Sequence, residues 1–262
     1  NMAMRMNLLS AFFAALTSVM IFLIGRVLFL NRFTATATSL IAAFSFTFWS
    51  QAVVAEVYTL AALFFCSMIF LTLQWLRDQQ ERWLLLLALT AGLSLTHHVI
   101  IGVFFPVFVL FILLNKPSLL KNWKLISRIV LLFLLPLLLY LYLPIRSATN
   151  PVNDWGNPNT LSKMVDHVSA KQFGSLFFKY GMDGVRFQWH VFSDALKNQF
   201  PLILLIFGVI GVIACWKREK KILFFFLALL LVGMGYASAY YITDIEPHFT
   251  YIFLSLALFM GL

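Results

Sequence analysis

The chain has 262 residues, of which 62% are hydrophobic, 17% aromatic and only 11% charged, with a formal net charge of +9. Soluble domains carry about 25% charged residues, so a single water-soluble core is excluded and the bilayer is the expected solvent for most of the chain. The positive balance does not argue for a nucleic-acid partner, because the lysines and arginines fall in short connectors between apolar runs, where membrane topology accounts for them.

Asn1 to Asn7 lead into the first apolar run without the charged start and small-residue cleavage site of a signal peptide. Leu8–Leu30 is long enough to cross, with Arg26 and Arg32 at its basic end. Thr34–Trp49 and Val53–Leu76 follow, the latter ending in RDQQER. Trp83–Thr96 and Val99–Leu114 form a pair with His97 and His98 at the turn between them. After NKPSLLKNWK comes Leu125–Leu143, and beyond a long loop lie Leu202–Cys215, the basic connector KREKK, and Ile222–Tyr241. The final run, FTYIFLSLALFMGL, stops at Leu262. The pattern predicts an all-α, polytopic integral membrane bundle over residues 1–262. About nine spans are expected, the last truncated, with the short ones fitted by local thinning of the bilayer. The chain is accordingly expected to be a piece of a longer protein. Cys66 and Cys215 lie inside apolar runs, which argues against a disulfide framework.

Residues 144–199 are the long break. The stretch opens with a segment dense in Pro, Asn and Gly, then turns amphipathic. In LSKMVDHVSAKQF, Leu161, Met164, Val165 and Val168 recur at helical spacing with Lys163, Asp166 and Lys171 turned away, which predicts an interfacial helix lying on the bilayer. Alternating the spans puts the short basic connectors on one side, cytoplasmic by the positive-inside rule. The other side receives this loop, all five histidines and seven of the ten acids. Any chemistry is expected on that non-cytoplasmic face.

Glu56, in FWSQAVVAEVYTL, reads either as an acid lining a watery path or as a helix N-terminal acid favoured by the helix dipole. His97 and His98 point about 100° apart on a helix and could share one ion only from a turn. Without HExxH or paired CxxC no metal site is expected, and an anionic phosphate is the better ligand, set against a plain polar turn. Arg146 suits a bidentate grip on phosphate or carboxylate, or else snorkels to the interface. Trp155, between Asp154 and Gly156, could stack on a sugar ring or serve as a belt aromatic. Asp244, Glu246 and His248 repeat the polar pattern in the last loop.

Four stretches together, RMNLLSAFFAAL, FSFTFWSQAVVAEVYTL, GLSLTHH and YLPIRSATNPVNDWGNPNT, resemble the membrane family catalogued as domain of unknown function 2723. That family includes the transmembrane protein 260 type of protein O-mannosyltransferase. The resemblance implies a GT-C-type glycosyltransferase fold and a polyprenyl-phosphate-linked sugar donor used on the luminal or periplasmic side. It also implies an acidic residue acting from the first outer loop. The family's acidic loop and His-Pro-Pro-Gly-Tyr-like stretch precede RMNLLSAFF and are not in this sequence, so the principal catalytic acid is expected upstream and the piece alone is expected to be inactive.

The expectation is therefore a membrane glycosyltransferase, protein O-mannosyltransferase-like, with Glu56 as the catalytic candidate. His97, His98, Arg146, Asp154, Trp155, Glu246 and His248 are the substrate-binding candidates. No cofactor or metal is expected, the lipid-linked sugar being substrate. The partners are membrane lipid, the donor, and a protein or glycan acceptor. The alternative is a polytopic transporter or lipid-linked-saccharide flippase, against which stand the one-sided polar residues and the lack of an internal repeat. The bacterial inner membrane and the endoplasmic reticulum both fit.

Overall fold

The computed structural model describes residues 2–28 and 30–262. Asn1, in the expected lead-in, and Phe29, in the first expected span, lie outside the described residues. In chain order the helices are α1 (Met2–Val27), α2 (Arg32–Ala43), α3 (Phe46–Ala52), α4 (Tyr58–Asp78), α5 (Glu81–His97), α6 (Phe105–Asn115), α7 (Trp123–Leu137), α8 (Tyr142–Ser147), α9 (Leu161–Val168), α10 (Gly181–Gln199), α11 (Leu202–Arg218), α12 (Lys220–Ala239) and α13 (Thr250–Gly261). Tighter 3-10 turns over Val99–Phe104 and Glu246–Phe249 lead into α6 and α13. Among the described residues the only β-pairing is one antiparallel bridge, Phe177 with Tyr240. The protein is an all-α membrane bundle.

Each apolar run named above holds a helix, but the lengths do not give nine full crossings. Among the described residues, four helical stretches are long and apolar enough to span alone: Met2–Val27, Tyr58–Asp78, Trp123–Ser147 and Lys220–Ala239. Gly181–Gln199 and Leu202–Arg218 qualify only as a pair, bent by 102°. At a rise of 1.5 Å per residue, a 12-residue helix such as α2 reaches about 18 Å, against a hydrocarbon core of about 30 Å.

The breaks have local causes. Asn31 caps α2 by accepting from the Thr34 backbone N–H at 2.8 Å, and Asn122 caps α7 by accepting from Leu125 N–H at 3.1 Å. Between α2 and α3, the Ser45 hydroxyl turns back to the Ala42 carbonyl at 2.6 Å, taking an acceptor near the helix end. Pro201, which lacks the N–H a continuing helix needs, stands where α10 turns into α11.

The core is built around α13. Nine of its residues, from Thr250 to Phe259, are buried, and aromatic rings of Phe249 and Phe253 meet Phe192 of α10. At Gly211 on α11 a side chain is impossible at this spacing: a Cβ would stand 1.8 Å from the Phe259 carbonyl oxygen. Trp123–Ser147 is the opposite case, with only 11% of its apolar window buried. Leu131, Leu134, Leu138 and Ile145 stand exposed there. A face of this kind is stable only against lipid or another apolar surface.

The contacts separate the bundle's two ends. At one, Ser10 of α1 lies against the backbone of Glu56, and the Thr17 hydroxyl reaches the Thr59 carbonyl at 3.3 Å, so α1 and α4 start together. At the other, the connectors tie into each other: Arg128 pairs with Glu81, Asn122 donates to Glu81 at 3.3 Å, and the Trp83 indole donates to Asp78 at 2.9 Å.

Residues 144–199 are more helical than a loop reading suggests. The segment contains α9 and the 19-residue α10; its irregular part is the Pro/Asn/Gly-rich opening. Gln188 of α10 donates to the carbonyls of Tyr240 (3.2 Å) and Ile242 (3.0 Å), and Gln199 accepts from the Thr47 N–H at 2.9 Å. Leu161 and Val165 stand exposed on α9.

Candidate functional site

The first end of the bundle encloses a cavity of about 800 Å³. Its walls come from elements distant in sequence: Tyr58 opens α4, His97 and His98 close α5, Tyr236 and Tyr240 lie one turn apart on α12, and His248 sits in the turn before α13. Residues 167–177, with His167, Lys171 and Phe173, form another wall, and Leu139, Tyr140, Tyr142 and Leu143 of the α7–α8 stretch a further one. The rings form a continuous cluster. Tyr58 lies 5.7 Å from His98 and 5.5 Å from His248, the two imidazoles are 6.5 Å apart, and Tyr236 stacks on His248 at 6.0 Å.

His97 turns away from this cluster. Its Nε2 is 2.8 Å from the Val57 carbonyl oxygen; since a carbonyl can only accept, Nε2 carries a proton and donates. The Nδ1 atoms of His98, His167 and His248 are buried without a hydrogen-bond partner. Burial is the main reason the His98 imidazole is pushed down to about 4, helped by the charge of His97. His248 is also lowered to about 4, first by burial and then by His98, against the opposing effect of the Ile245 carbonyl. Burial raises the Tyr240 phenol. At neutral pH the uncharged imidazoles of His98 and His248 and the neighbouring phenols thus line the inner cavity, where they can hydrogen-bond a polyhydroxylated or phosphorylated ligand and pack against its apolar faces.

The sequence candidates divide into two groups. His97, His98 and His248 come together at this cavity. Glu56, Arg146, Asp154, Trp155 and Glu246 do not line it. Glu56 is exposed just ahead of α4, with its backbone N–H near the Ser10 hydroxyl. Arg146 is exposed and donates to the Thr149 hydroxyl at 2.8 Å; on α8 it lies one turn from Tyr142, a lining residue. Asp154 accepts from the Ser147 hydroxyl at 2.7 Å, folding the Asp-Trp-Gly-Asn turn back onto α8. Trp155 is 72% exposed, and Glu246 is exposed beside the buried His248. Gly156 has φ +74°, and a Cβ there would stand 2.9 Å from His167 Nδ1, so this turn seats a wall of the cavity without entering it. Among the described residues no three His, Cys, Asp or Glu side chains gather as a metal group would need.

Tyr58, His167, Lys171, Tyr236 and Tyr240 are lining residues absent from the sequence candidates. The signal that could have found the tyrosines is the i, i+4 pair in YASAYYITD, which puts two phenols on one helix face beside a polar loop. His167 carried no such signal, since only the fold sets α9 across the cavity from the end of α5.

Lipid-compatible flanks around one polar cavity define a polytopic helical membrane protein with an enclosed polar site at one end. Residues 1–121 match the Protein O-mannosyl-transferase TMEM260 N-terminal domain family. The chain is 24% identical over 231 residues to Protein O-mannosyl-transferase tmem260 of Dictyostelium discoideum, a match covering 81% of this chain and 28% of that relative. It therefore spans less than a third of the relative's length. The resemblance drawn from the motifs, to the TMEM260 type, is borne out, and three of the four motif stretches lie within the matched residues. No solved structure matches.

Proposed function

We propose that this chain is the membrane part of a GT-C-type protein O-mannosyltransferase, which transfers mannose from a polyprenyl-phosphate donor to a protein hydroxyl. The observation that carries the reading is the His98–His248–Tyr58 cavity together with its apolar neighbour. A second recess, of about 440 Å³, lies between α5, α6 and α7, lined by Leu87, Ala91, Phe105, Phe108, Ile129 and Phe133 among others. Both cavities use α5, the Val99–Asn115 segment and the α7–α8 stretch, the polar one near the end and the apolar one deeper. An amphiphile with a polar head and an isoprenoid tail has that shape.

The phosphate and sugar occupy the polar cavity, with His98 and His248 donating to them. His97 holds the floor, and Arg146, outside the lining, closes over the entrance from α8 once it gives up Thr149. Trp155, Asp154 and Glu246 stand at the rim toward the acceptor, and Glu56 orients the acceptor hydroxyl. Departure of the phosphate is favoured by donors held ready for its growing charge. The cavity end faces away from the cytoplasm, a reading supported by the basic connectors at the opposite end, and residues 144–199 lie over it at the membrane surface.

The test uses the full-length protein in detergent with a protein acceptor, supplied with polyprenyl-phosphate mannose or with a nucleotide-activated mannose. The expected result is a mass increase of one hexose from the lipid donor alone. Transfer from neither, with movement of lipid-linked saccharide in proteoliposomes, would overturn the reading in favour of a flippase.

A further inference from the structure

We propose that the His98–His248 pair takes up a proton when the anionic phosphate of a ligand enters the cavity, so that the site completes its own counter-charge only on binding. This rests on the reading of the cavity as a phosphate-holding site. Among the lining residues, the side chains able to carry charge near neutrality are His97, His98, His167, His248 and Lys171. Lys171 is already tied to Asp166, at 2.8 and 3.0 Å. No arginine and no carboxylate is among the lining residues. An anion reaching the inner end therefore meets no unpaired fixed cation, and an uncompensated charge in such surroundings is costly.

The geometry supplies the remedy at one place. His248 is 7% exposed and its Nδ1 has no partner; His98 Nδ1 is likewise buried and unpartnered. The rings stand 6.5 Å apart on different elements, with Tyr58 beside both. The groups facing the pair are His97 on α5, Tyr58 on α4, Tyr236 and Tyr240 on α12, and His167 and Lys171 across the cavity. Tyr251 of α13 lies behind Tyr58, and Glu56 and Asp244 are the carboxylates within electrostatic range of it. The facing phenols are neutral, so none of them supplies the missing cation. In the empty cavity burial keeps both imidazoles uncharged; a phosphate beside them reverses the balance, because an opposite charge favours the protonated form. The two rings also repel each other's second proton, which limits the uptake to about one.

The experiment is calorimetric titration of the detergent-solubilised full-length protein with mannosyl farnesyl phosphate and, separately, with farnesyl methyl phosphate. Both probes are phosphodiesters that keep a single negative charge across the neutral range. Repeating each titration in buffers of different ionisation enthalpy counts the protons taken up. The expected result is an uptake approaching one proton near neutrality, with Kd weakening by up to about tenfold per pH unit as pH rises through that range. His248→Gln should at least halve the uptake, whereas His190→Gln, an exposed histidine outside the cavity, should leave it unchanged. Binding with no proton uptake and a flat pH profile in the wild-type protein overturns the proposal whatever the variants do. Uptake with both probes but no mannose transfer keeps the proposal and removes the transferase reading; transfer without uptake does the reverse. Binding of neither probe removes both.

Discussion

The two ends of the bundle hold their polar groups in opposite ways. At the connector end, charge meets charge at the surface: Arg128 with Glu81, Arg82 with Asp78 at 3.8 Å, and the Trp83 indole with Asp78. At the cavity end, His98, His167, His248 and Tyr251 each bury a nitrogen or oxygen without a partner, and the Lys171–Asp166 ion pair stands on the cavity wall. Exposed pairs are worth little and fix connectors. Buried unpartnered donors and acceptors are expensive to keep; the Trp75 indole nitrogen and the Asn115 amide oxygen are such atoms toward the connector end, but those of His98, His167 and His248 line a single cavity. The difference separates the end that holds the helices together from the end that is built to bind.

The sharpest break of this comparison is one substitution at each end of the full-length protein. His248→Ala is expected to lower kcat/KM for mannose transfer by about 10- to 100-fold, the range for losing a hydrogen bond to a charged group. Arg128→Ala should leave it within about twofold. Equal losses would show that the ends do not differ in function. Acid comes next. His98 and His248 stand near 4 in the fold against an ordinary 6.5, so between those values the unfolded chain binds more protons than the folded one. Stability present above pH 6.5 is therefore lost as pH falls toward about 4. Thermal unfolding across that window should be flatter in the His98→Gln/His248→Gln double variant, and equal slopes would place the acid sensitivity elsewhere.

Gly156→Ala should cost about 1–2 kcal/mol of stability, because it forces a left-handed backbone on a residue with a Cβ. Through the contact with His167 it should also raise KM more than it lowers kcat. The smallest effect is Glu81→Gln at the connector end. Unfolding free energy is expected to fall by less than about 1 kcal/mol, the loss vanishing in high salt.

Much of this architecture was legible in the sequence because apolar runs and basic connectors report directly on lipid and water. The helices over residues 58–78 and 220–239 fell where hydropathy put them. Hydropathy did not tell a full crossing from a short helix, since α2 and α3 read as one run until Ser45 is seen turning back on Ala42. Nor did it tell a lipid-facing run from a buried one. Trp123–Ser147 and α13 are both apolar throughout, and only neighbours such as Gly211 mark which is enclosed. At the site, His97 and His98 announced themselves as a polar pair ending an apolar run, and His248 as part of a polar loop. Tyr58 and Tyr236 did not, because a tyrosine at a helix end reads as a belt aromatic until the fold sets it against an imidazole.

The placement of α13 carries a consequence for how the molecule is made. Its partners α1, α2, α4, α11 and α12 all precede it in the chain, so they leave the ribosome first and wait with a vacant slot among them. A helix enclosed on all sides by protein gains little from lipid as a destination. Its route into the membrane is set by the walls of that slot, and the packing of these earlier helices is completed only once it has arrived. A defect in those walls, such as Gly211→Val, would then appear in the cell as a failure of assembly and turnover by quality control before any loss of chemistry could be measured.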